Sequence, residues 1–225
     1  MATFYKTLDN AQDVVSTRTL LHEAIPLTGT IVSGTYGTAN IKNYAHGMFQ
    51  SVYDYPHLSS SANHIFDITV GYAPDSALSS SSNSQNAKKI NIYNQMAQVL
   101  MGYDHTGSVL RFDEDGDIAG AGTKIKECFF LNFSRLLVKD EIKKGSFQAE
   151  LGVDDAYQTN GGVFGKRIKI TDASGSNGFK VNSPVGEYGI LFATASAGAS
   201  VLAANQSYPV GLLFYQAGIA VISGS

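Results

Sequence analysis

The chain has 225 residues, a formal net charge of −3, no basic block and a single cysteine, Cys128. An intramolecular disulfide is excluded, a nucleic-acid surface is disfavoured because it needs several unopposed cations, and no run approaches the roughly 18 uncharged apolar residues of a membrane span. Only 16% of residues are charged while Tyr and Phe number 12 each; interface cores lose charge and gain aromatics, so the composition leans toward a chain covered by partners.

In chain order, residues 1–6 lack the apolar core of a secretory signal. Val14, Val15, Arg18, Leu21 and Ile25 recur at helical intervals over 9–25, and Pro26 cannot continue that helix. Residues 26–72 are rich in Gly, Ser, Tyr and Asn and read as loops and short extended pieces, with 65–70 alternating like a strand. So little periodic apolar character buries too little surface to offset backbone entropy. Much of 26–86 is therefore expected to be ordered by other chains, through aromatics such as Tyr44, Phe49, Tyr53 and Tyr55. Residues 78–86 are Ser/Asn-rich and of low complexity.

The strongest element is an amphipathic helix over about 85–101, with Ile90, Tyr93, Met96, Ala97, Leu100 and Met101 on its apolar face. Ser84 or Asn83 is its expected N-cap, and Gly102 its stop. Beyond Gly102 short apolar runs alternate with turn clusters. Strands are expected at 109–112, 126–137, 146–151, 163–171, 179–181, 188–194, 210–215 and 219–223, the last two forming a hairpin across Gln216-Ala217-Gly218. The fold class is α+β and predominantly β, with a sandwich or barrel-like C-terminal part and one or two helices in the N-terminal half. Residues 1–102 read as a mixed helical and loop assembly region, and 103–225 as a β-rich domain.

The sharpest chemical candidate is Asp113-Glu114-Asp115-Gly116-Asp117, whose alternate Asp residues could face one hard cation. A calcium loop of that type needs Gly at its sixth position and Glu at its twelfth; Ile118 and Lys124 stand there. An acidic hairpin tip is the reading adopted, with no metal. The five histidines, His22, His46, His57, His64 and His105, show no metal-ligand spacing. His57 and His64 flank Ser59, Ser60 and Ser61, but no nucleophile elbow surrounds them. The Gly-rich stretch 116–122 has neither a Walker lysine nor a strand feeding a βαβ unit. Cys128, inside an apolar run, reads as a small buried hydrophobe. No catalytic residue, cofactor or metal site is expected, and 139–146 reads as a tight charged connection.

Three stretches carry a resemblance: residues 43–67, with VYDYPHLSSSANHIFD at 52–67, residues 88–100 (KKINIYNQMAQVL) and residues 129–147 (FFLNFSRLLVKDEIKKGSF). Together with the closing GLLFYQAGIAVI they resemble virion structural proteins of contractile-tailed bacteriophages, especially phages of marine cyanobacteria. The likeness spans about 18–151. It implies a non-enzymatic component of the tail, baseplate or neck, assembled in the host cytoplasm. Its partners would be other virion proteins and copies of itself, not nucleic acid or membrane. A receptor- or carbohydrate-binding module of a tail fibre is the alternative, and a hydrolase acting on the host envelope is a further rival.

Overall fold

The computed structural model describes residues 38–80, 84–116, 122–134, 141–152, 167–197 and 207–224. The helix expected over 9–25 lies outside them, as do Asp117 and the turn at 160–162. A 3-10 turn, Thr38–Asn40, leads into β1 (Ile41–Asn43), β2 (Gln50–Tyr53) and β3 (His64–Tyr72). Helix α1 (Asn86–Leu100) follows, then β4 (Glu127–Phe133), β5 (Gln148–Gly152) and β6 (Arg167–Thr171). A single helical turn, α2 (Gly175–Gly178), precedes β7 (Lys180–Ser183), β8 (Gly186–Ala197), β9 (Tyr208–Phe214) and β10 (Ile219–Ser223). The fold is predominantly β.

All ten strands form one antiparallel sheet in the order β1-β2-β3-β4-β10-β9-β8-β6-β5, with β7 pairing β8 off that path. The change of character at Gly102 marks the end of a helix; on either side of it the chain supplies strands to the same sheet. Of the stretch expected to be ordered by other chains, β1, β2 and β3 pair within this chain. β3 runs beside β4 from Phe66↔Phe133 to Tyr72↔Glu127. The apolar run of β4 offers β3 a long buried neighbour, which the polar composition around β3 hides.

Alternation along the strands sends side chains to two cores. Cys128, Phe130, Leu212, Phe214, Val221 and Tyr188 face α1 and its Tyr93, Ala97 and Leu100. The intervening Leu131, Leu213, Ala220, Ile222 and Leu191 meet Ile142, Phe147 and Ile170 on the other face. Phe133 closes β4 and Phe147 leads into β5, five places along the sheet order. A flat sheet would set those strands about 24 Å apart, yet the two rings lie 5.9 Å apart, centroid to centroid. The sheet therefore bends back on itself over the second core.

α1 begins one residue later than expected and departs from its expected start. Gln85 is the N-cap, without a side-chain hydrogen bond, so Ser84 does not cap it. Its buried residues are Ile92, Tyr93, Ala97 and Leu100, whereas Ile90 and Met96 are half-buried. The helix sits close to β3: a Cβ on Gly71 would lie 2.8 Å from the Tyr93 amide. That contact draws the buried stripe toward Ile92. Gly102, at φ +81°, ends the helix with its N–H on the Ala97 carbonyl.

Residues 109–112 do not join the sheet as a strand. Both flanks of β4 are occupied, by β3 and β10. The segment instead folds over α1, held by isolated bridges Tyr103↔Val109 and Asp113↔Lys124, and delivers Phe112 to the first core. The closing hairpin forms as expected, with β10 over Ile219–Ser223 and Gly218 at φ +69°.

Candidate functional site

Within the acidic run Asp113 forms an ion pair. Asp113 is fully buried and its carboxylate contacts the Lys124 ammonium. Lys124 occupies the place where a calcium loop would carry its twelfth-position glutamate. The cation there is supplied by the chain. Burial raises the Glu114 carboxyl above its usual range, with Asp113 and Asp115 adding to it. Among the described residues no group of three or more His, Cys, Asp or Glu is placed to hold a metal ion. Cys128 is buried and far above the usual thiol range through desolvation.

The serines flanked by His57 and His64 receive no hydrogen bond from either ring among the described contacts. His57 Nδ1 lies 2.8 Å from the Ala39 carbonyl, and His64 Nε2 lies 2.8 Å from Asp67 Oδ1. The serine on that carboxylate is Ser51, whose Oγ donates to Asp67 Oδ1 at 2.5 Å. Asp67 thus stands between serine and histidine. In a serine–histidine pair the imidazole accepts the serine proton; here Ser51 donates to Asp67 instead, and the carboxylate ties β2 to β3. Sequence spacing could not reveal it. Residues 64 and 67 of a regular strand point to opposite faces; the register shift from Val52↔Phe66 to Tyr53↔His64 inserts one residue on β3 and brings them together.

Another cluster pins the 141–147 segment to the sheet. Asp172, fully buried, accepts N–H bonds from Gly145 at 2.7 Å and Phe147 at 2.8 Å, and the Tyr215 hydroxyl at 3.2 Å. Lys144 reaches Glu187 at 2.6 Å and lies 5.3 Å from the Tyr215 ring centroid. Desolvation pushes the Asp172 carboxyl up against the three bonds that pull it down. Every donor here is spent within the chain, which marks a structural knot.

Two surface features remain open. One is a cavity of about 290 Å³ where β3 runs on past the end of β2, lined by the 43–50 hairpin, Ile68, Thr69, Val70, Lys89 and Phe129. Thr69 Oγ1 donates to the Met48 carbonyl and holds the hairpin there. The other lies where the C-terminal end of α1 meets the β7–β8 turn. Ser183 Oγ donates to the Leu100 carbonyl at 2.5 Å, and Pro184 abuts Gly102. On the elements meeting at that seam, Val99 is 58% exposed, Tyr103 51% and Val181 69%.

Among the described residues no helix is long and apolar enough to cross a membrane. Comparison of the chain with protein-family models, with curated proteins and with solved structures finds no match.

Proposed function

We propose that this chain is a non-enzymatic structural subunit of a tailed-phage virion, in the tail, baseplate or neck, working through contacts with copies of itself and other virion proteins. The observation that carries the reading is the seam of α1 and β7. Val99, Tyr103 and Val181 stand exposed there on a chain with only 16% charged residues. Apolar groups left exposed on neighbouring elements are what association surfaces use. The resemblance of 52–67, 88–100 and 129–147 to phage virion proteins supports the same reading. An antibody raised against the purified chain should label intact phage particles in negative stain, and particles free of label and of its peptides would overturn it.

A second reading, a carbohydrate-binding module, is favoured by the Tyr53 ring beside His57 and His64, at 6.3 and 5.5 Å between centroids. Binding on a glycan array, lost in Tyr53→Ala, would select it.

A further inference from the structure

The cavity beside β3 has a chemistry that the assembly reading does not use. Its lining includes the apolar Met48, Ile68, Val70 and Phe129. One charged residue lines it, Lys89, and none of the lining residues is acidic. Among the described residues the Lys89 ammonium makes no ion pair or hydrogen bond, while its backbone N–H donates to the Gln85 carbonyl. Burial lowers its ammonium below the usual lysine range, and Lys88 adds to the effect. It sits in the first turn of α1, which holds no acidic residue. A cation is unfavourable at the positive end of a helix. At the rim, Gln50 Nε2 donates to Asn43 Oδ1 at 2.5 Å, bringing amide donors beside the opening.

We infer that this cavity binds an organic carboxylate with a small apolar body, the carboxylate on Lys89 and the body against the apolar part of the lining. One lysine without an arginine suits a monoanion; a phosphate draws several cations or a fork of donors. A cationic ligand would face Lys89 and is excluded. The volume, about 290 Å³, falls at the small end of ligand pockets and fits a body of benzoate or hexanoate size. The carboxylate has two sources, a free acid or the terminal carboxyl of a neighbouring chain, and the two probes below separate them. The inference stands apart from the virion reading, because it needs only the isolated chain.

The experiment titrates the full chain, followed by amide resonances, with benzoate against benzyl alcohol, and with N-acetyl-Gly-Phe against its C-terminal amide. At least one acid should shift residues 43–50, 68–70 and 89 and bind about tenfold or more tighter than its neutral counterpart, the effect of one charge-assisted hydrogen bond. A response to benzoate identifies a free-acid site, and a response to the peptide acid alone identifies a chain-terminus site. Lys89→Met should erase the preference, and Lys42→Met, outside the lining, should keep it. Both are surface changes whose folding is checked by melting. Equal binding of acid and neutral probe, no binding of either acid, or an acid preference surviving in Lys89→Met would overturn the inference.

Discussion

Two buried aspartates show how single residues hold this chain. Asp113 is fully buried beside Lys124, and removing one partner of a buried pair leaves an uncompensated charge. Lys124→Met is expected to lower stability by roughly 3–5 kcal/mol in urea unfolding; a loss under about 0.5 kcal/mol, the scale of an ordinary surface change, would show that the pair is solvated. Asp172 uses both carboxylate oxygens to accept N–H bonds. In Asp172→Asn one oxygen becomes an N–H donor facing another donor, so about 1–3 kcal/mol is lost at pH 7. The pH dependence has two opposed parts. Arg111 and Lys126 hold Asp75 down from 3.8 to about 2, so its contribution is present above pH 3.8 and is lost as pH falls through about 2. It is small, because the pair is exposed and screened. Burial raises Asp172, so the folded state binds its proton more tightly than the unfolded chain, and stability declines as pH rises from 3.8 through its folded value. Chemical denaturation across pH 2–6 should show Asp75→Asn flattening the acid limb; an unchanged limb would remove Asp75 as a contributor.

At the scale of elements, α1 was legible from spacing. Tyr93, Ala97 and Leu100 recur at three- and four-residue steps and are buried as expected. Ile92 was not on the expected face. It is buried because the helix leans on Gly71 of β3, where no side chain keeps the two apart. Leu100→Ala should cost about 2–5 kcal/mol through the cavity it leaves, while Val99→Ala, one residue earlier and exposed, should change stability by less than about 0.5 kcal/mol. Similar losses at both positions would mean that the helix does not pack by this face. The strands after Gly102 were legible from their turns, and β10 was found to the residue. β1 and β2 were not, because three- and four-residue strands carry too few alternations to register as a period.

At the scale of the molecule, one sheet joins β1–β3 to the strands that follow α1. Hydrogen exchange on the isolated chain tests that unity. Amides of β3, β4 and β10 should exchange at a common slow limit, with the edge strands β1 and β5 faster. β3 exchanging independently of β4 would instead mark residues 1–102 as a separate unit. Association belongs to this scale too. Val99→Asp with Val181→Asp should lower the sedimentation coefficient of any oligomer formed by the chain and leave melting nearly unchanged; an oligomer that persists would move the interface elsewhere.

The sequence by itself determined the β-rich class, the main helix with its Gly102 stop, and the closing hairpin. Each of these depends on local periodicity and on backbone conformations that few residues adopt. It also determined that the acidic run lacks its calcium-loop glutamate, since Lys124 is a matter of residue identity. Tertiary structure alone decided which strands became neighbours, that 109–112 would cover the helix rather than enter the sheet, and that Ser51, His64 and Asp67 would share a face. It also brought Lys89 and apolar residues of β3 and β4 to the lining of one cavity. Those outcomes depend on long-range pairing, on a bulge that shifts the strand period by one residue, and on which flank of β4 was already filled. Such contacts are set by the whole chain competing for the same surfaces, and no short window of sequence contains that competition.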